Sequence, residues 1–149
     1  MTIMTDGYQT TISFDSADAD SGVIIEDIME EKEVTPPGVS GGGSTDATTM
    51  RNSVWRTVNP KSLKTLTPFS LVIAYDVALF DQMVNMINDN QEMTITFPDE
   101  STLVFWAFID EFTPNANVEG EQPTATIAII PTNQDAGDSN AEIAPVYTA

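Results

Sequence analysis

Three aspartates close together, Asp15, Asp18 and Asp20, are the residues whose spacing comes nearest to a metal site. Calcium takes about six to eight oxygen ligands, and its helix–loop–helix sites set them at fixed intervals with a turn glycine and a closing glutamate. Here no glycine follows Asp20 directly and no glutamate stands at the closing position, so residues 15–22 (DSADADSG) read as an acidic, solvated loop. With no His and no Cys, the chain offers no Ser-His-Asp triad, no thiolate nucleophile and no ordinary zinc site. Gly41, Gly42 and Gly43 lack the following lysine and the strand-to-helix setting of a phosphate loop. Glycoside hydrolysis needs two carboxylates at a set separation. Among 23 acids some pair meets that condition by chance, so the pair carries no assignment. The residues name no catalytic, cofactor-binding or metal-binding group, and the expectation is a protein that is not an enzyme and uses no cofactor.

The charge distribution says more. All five basic residues, Lys32, Arg51, Arg56, Lys61 and Lys64, fall between positions 32 and 64. The remaining chain after Lys64 carries thirteen carboxylates and no base, and the net charge is -18. Such a surface repels nucleic acid and anionic lipid. A phosphate-binding role for the basic cluster is therefore weak. The better reading is that these cations reach acidic patches on neighbouring copies. The first residues, MTIMTDGYQT, have neither the basic start nor the apolar run of a signal peptide. No apolar run approaches the ~20 residues that span a bilayer. The expectation is a soluble, non-secreted protein with no membrane insertion.

Hydrophobic residues make up 41% of the 149, gathered in runs, which predicts one folded domain over 1–149. Residues 1–22 form an N-terminal segment, 23–131 the core, and 132–149 an acidic tail that is mobile or docks elsewhere. Residues 23–34 read as a strand, although Ile24, Ile25, Ile28 and Met29 also have helical spacing. Residues 35–44 (TPPGVSGGGS) end regular structure at Pro36 and Pro37 and place a flexible hinge at the three glycines. Residues 46–59 are polar and β-branched, with Met50, Val54 and Trp55 as anchors, and fit either a long arm or an edge strand. Trp55, between Arg51 and Arg56, reads as an anchor at a partner surface, the alternative being packing across its own sheet.

The second half alternates more clearly. Residues 66–75 read as one strand with Pro68 near its start. Asp76 suits the N-cap of a helix over 77–89. Its apolar half-wheel holds Val77, Leu79, Phe80, Met83, Val84, Met86 and Ile87, all expected against the core. Residues 92–97 alternate as a strand with Met93, Ile95 and Phe97 inward, and Pro98 to Ser101 supply a hairpin turn. Residues 102–112 (TLVFWAFIDEF) are apolar on both faces, and Trp106 is expected in the core. A strand apolar on both faces needs a layer over each. The helix supplies one; a second sheet or a neighbouring subunit must supply the other. Residues 113–122 read as a polar loop and 123–131 as a final strand with Ala125, Ile127 and Ile129 on one face. The fold class is mainly β: sandwich- or barrel-forming sheets flanked by one helix.

This order of elements resembles the major tail tube protein of long-tailed, non-contractile, lambda-like bacteriophages. The resemblance runs over residues 23–131. It is carried by Glu33-Val34-Thr35 leading into the long loop to Thr48-Thr49, by residues 69–76 before the helix, and by MTITFPDESTLVFWAFIDEF followed by Thr113-Pro114. The family implies subunits in sixfold rings, rings stacked head-to-tail into a tube, and a channel that carries genomic DNA into the host without binding it specifically. It also implies as partners further copies of the chain and other tail proteins (tip or baseplate, terminator, tape measure), a place in the virion tail, and assembly in the host cytoplasm. On this reading residues 35–59 are a stacking arm that orders on docking. The inter-subunit residues are Thr35, Gly41, Gly42, Gly43, Met50, Arg51, Trp55, Arg56, Lys61 and Lys64. Glu92, Asp99 and Glu100 are the candidates for an acidic lumen. The alternatives are another ring-forming virion part (terminator, connector or baseplate protein), a secretion-type tube protein, or an acidic monomeric binding module.

Overall fold

The computed structural model describes residues 6–15 and 30–149. The strands are β1 Thr11–Asp15, β2 Glu31–Val34, β3 Val39–Ser40, β4 Ser44–Asp46, β5 Val58–Pro60, β6 Thr65–Leu66 and β7 Phe69–Ala74. The helix α1, Val77–Met86, follows. Then come β8 Gln91–Thr96, β9 Thr102–Pro114, β10 Thr124–Pro131, β11 Gln134–Asp135, β12 Ala141–Glu142 and β13 Val146–Thr148. Asp15, expected in the acidic loop, ends β1; the rest of that loop, 16–22 with Asp18 and Asp20, and most of the expected strand at 23–34 lie outside the described residues, and at its end Glu31–Val34 is a strand.

A seven-stranded antiparallel sheet in the order β1-β8-β9-β10-β7-β2 organises the molecule, with β13 added beside β9. The fold is mainly β with one helix, as expected, and the sheet does not close into a barrel. It does curl: the backbone N–H of Ile12 in β1 donates to the Glu31 carboxylate in β2 at 3.1 Å, joining the two ends of the strand order. The concave face is the core, holding Ile12, Leu71, Ile73, Met93, Ile95, Phe105, Ile109, Ile127 and Ile129. Strict alternation along β7, β8 and β10 sends every second side chain there. The helix lays Leu79, Met83 and Met86 on the same core.

Several elements differ from expectation for local reasons. The strand expected at 66–75 is split, because Pro68 offers no N–H and the chain turns there from β6 into β7. The helix stops at Met86 rather than 89. Ile87 is extended, Asn88 takes a left-handed φ of 64°, and the Asn88 N–H donates to the Ile109 carbonyl at 3.0 Å, so the chain leaves the helix to bond β9. Val77, Phe80 and Val84, expected inside, are exposed. Trp106, expected in the core, is half-buried on the convex face beside Val104 and Phe108. The β9 strand also takes in Thr113 and Pro114, expected as loop. A bulge opposite Ala128 and Ile129 shifts its phase, so Phe112 returns to the core side opposite Ile127. The C-terminal segment docks: Val146, Tyr147 and Thr148 pair with Val104, Leu103 and Thr102 of β9.

Candidate functional site

Residues 35–67 form a hairpin arm standing off the sheet, the long-arm alternative of the sequence. Two short ladders build it, β3 with β6 at the root and β4 with β5 further out. Between them Gly42 (φ 78°) and Gly43 (φ 92°) occupy a backbone region that side chains avoid. A Cβ at Gly42 would meet the Leu63 carbonyl only at ordinary contact distance, 3.6 Å, so it is the positive φ that calls for glycine there. The three glycines thus mark the joint between root and outer arm, where a hinge was expected.

The tip beyond β4 and β5 has its own polar frame. The Ala47 N–H donates to the Thr57 carbonyl at 2.9 Å, and the Thr57 N–H to the Thr48 hydroxyl at 3.0 Å. The Asn52 amide donates to the Trp55 carbonyl at 2.8 Å, and its oxygen accepts from the Thr49 N–H at 3.0 Å. Arg56 pairs with Asp46 at 3.2 Å in the open, where solvent screens the attraction. Hydrogen bonds from the Thr48 hydroxyl and N–H hold the Asp46 carboxyl below its ordinary value. Short polar side chains thus bond the turn within the hairpin.

Among the described residues the apolar anchors on this frame are left uncovered. Met50 is fully exposed and Trp55 81% exposed, with Val54 also in the open. Arg51 lies beside them and makes no ion pair among the described residues. Lys61 and Lys64 face the glycine joint rather than the tip, and Thr35 sits at the root, its N–H reaching the Ser70 carbonyl at 3.4 Å. The ten expected interface residues are thus strung along one arm, from root to joint to tip. Of the three candidate lumen carboxylates, Glu92 lies half-buried in β8 opposite Trp106, while Asp99 and Glu100 occupy the β8–β9 turn. Asp99 accepts from the Ser101 hydroxyl and N–H, which hold its carboxyl below the ordinary value. Among the described residues no group of three or more His, Cys, Asp or Glu could hold a metal ion.

A second surface was missed by sequence reasoning. Val77, Phe80 and Val84 form an exposed apolar stripe on α1, with the Phe80 ring 6.3 Å from that of half-buried Phe112 and Tyr75 6.1 Å from the same ring. The signal was on the helical wheel. At about 100° per residue, Leu79, Met83 and Met86 span roughly 60°, and Val77, Phe80 and Val84 take the next free arc of roughly 60°. One core contact covers one such arc.

No protein-family model and no curated protein matches this chain. Solved structures do. The chain shares its fold with one in the virion of a native gene transfer agent particle, at 13% identity and a TM-score of 0.63, over 98% of this chain and 100% of that one. A chain in the tail of an empty particle of the same agent, refined with helical C6 symmetry, matches at 14% identity and a TM-score of 0.63 over the same spans. A third lies in the sixfold-symmetrised baseplate of the anti-feeding prophage, at 11% identity and a TM-score of 0.59, over 89% of this chain and 94% of that one.

Proposed function

We propose that this chain is the repeating subunit of a phage-like tail tube: it closes into sixfold rings, the rings stack, and the stack encloses an acidic channel for DNA. One observation carries the reading: an arm bearing exposed Trp55, Met50 and four of the five cations stands off an otherwise acidic body. The full-length match to a chain in a C6-symmetric tail supports it. The role is assembly rather than catalysis. A ring needs a heterologous interface that closes, and a tube a second that does not. The convex face of β9, with Val104, Trp106 and Phe108 half-exposed, offers apolar surface for a neighbour. Carboxylates without cations in the lumen wall would keep a phosphate backbone sliding, since cations there would bind it.

The match to a baseplate chain favours a second reading, a ring that forms once and does not repeat. Electron microscopy of the purified protein with sedimentation separates the two: filaments with a central channel support the tube, single rings the alternative, and a monomer at every concentration overturns both. Arg51→Ala with Arg56→Ala should abolish filaments and leave the melting transition of the subunit nearly unchanged, as for surface substitutions. Normal tubes from that variant would remove the arm from the stacking contact.

A further inference from the structure

The arm tip and the helix stripe are separate exposed surfaces of the subunit. The arm returns to the sheet at Phe69, the first residue of β7, and the helix starts just past Ala74, its last. Ala74 pairs with Thr124, Ala125 pairs with Pro114, and the Tyr75 N–H donates to the Pro123 carbonyl. The helix start, the end of β9 and the β9–β10 loop therefore share one end. Asp76, Glu119 and Glu121 belong to that end and Asp81 follows one turn into the helix, while Asp110 and Glu111 sit level with Ser70 and Lys32 flanks β7 near Ile73. Val77 starts the stripe there, and Phe80 and Val84 continue it along a helix that runs back to meet Ile109, level with Phe69. The arm extends apolar Met50, Val54 and Trp55 with Arg51 beside them. An apolar plug flanked by cations and an apolar stripe rimmed by carboxylates are complementary in both character and sign. Since the two are different patches of one chain, their union is heterologous and, where it does not close, leaves a free plug and a free socket on every addition.

We propose that the outer stripe of α1, Val77, Phe80 and Val84, is the socket for the arm tip of the next copy, with Arg51 facing Asp81. This rests on the stacked-tube reading and names the surface that receives the arm. Phe80 and Trp55 are the central anchors, of the aromatic kind that dominates interface energy.

The chain has no cysteine, so introduced pairs report without background. Val54→Cys or Met50→Cys on the arm, combined with Val77→Cys or Val84→Cys on the helix, should give a ladder of covalent multimers on mild oxidation of assembled protein. The single variants should give none. Phe80→Ser should lower the amount of sedimentable polymer at least about tenfold, the loss of one central anchor, with the subunit still folded by circular dichroism. Arg51→Glu should block growth, and adding Asp81→Lys should restore it. If wild-type protein builds tubes but no pair crosslinks and the Phe80 and Asp81 variants polymerise normally, the socket is elsewhere and the tube reading survives. If wild-type protein builds no stacked assembly, both readings fall.

Discussion

At the residue scale, small polar groups decide where the chain turns. The β8–β9 hairpin closes because Pro98 restricts its backbone, Glu100 accepts a left-handed φ of 68°, and Asp99 takes two hydrogen bonds from Ser101. Both bonds favour the charged carboxylate, the hydroxyl more than the N–H. A carboxyl held low in the folded state adds stability above the unfolded range near about 3.9, and loses it as pH falls through the folded value. Ser101→Ala should therefore move the Asp99 titration, followed by carboxyl NMR, up toward its ordinary range. The stability gap between variant and wild type should narrow below about pH 4. An Asp99 titration unchanged by the substitution would show that the hydroxyl is not the cause. Gln91 is the opposite case: it is 1% exposed, and neither amide atom finds a hydrogen-bond partner among the described residues. Such a group costs about 1–3 kcal/mol where apolar packing would cost nothing.

At the element scale, α1 has two apolar arcs with two destinations. Met83 is fully buried, and Met83→Ala should cost about 2–5 kcal/mol in the unfolding free energy measured by urea denaturation. Val84, one residue on, is 56% exposed, so Val84→Ala should change the subunit's stability by less than about 0.5 kcal/mol. Equal losses at the two positions would mean the outer stripe is buried within the subunit. The N-cap explains why the helix starts where the sequence says: the Asp76 carboxylate accepts from the Ala78 N–H at 3.0 Å. Its end was not legible, because the bond from Asn88 to Ile109 joins residues far apart in sequence. The same holds for Trp106. Alternation places it opposite Phe105, but only the curl of the sheet makes one face concave and covered.

At the scale of the whole molecule, charge controls association. Six copies at -18 would gather about -108 in each proposed ring. Unscreened, that repulsion opposes closure, while the proposed arm contacts are attractive and weaken with salt. Around physiological ionic strength the screening length is about 8 Å, short enough to mute ring-wide repulsion and long enough to spare a close pair. Polymerisation followed by sedimentation should therefore rise from low salt and fall again at high salt. A yield independent of salt would rule out charge as the controlling term. The C-terminal segment bears on the same scale, since β13 covers a stretch of the β9 edge that would otherwise be open to another chain.

The sequence by itself determined which segments alternate, where the helix begins, where the hairpin turns, and that every cation lies in one acid-poor stretch. These are local properties, set by side-chain period, capping and composition. Only the tertiary structure decided which apolar residues lack a cover. Val84 and Met83 are neighbours of similar character, and their fates diverge because one core contact spans a limited arc of a helix. Likewise the arm tip and the helix stripe are separated by a few dozen residues along the chain. They become separate exposed surfaces because β7 lies between the arm's return and the helix start, and no pattern in the sequence states which residues stay uncovered.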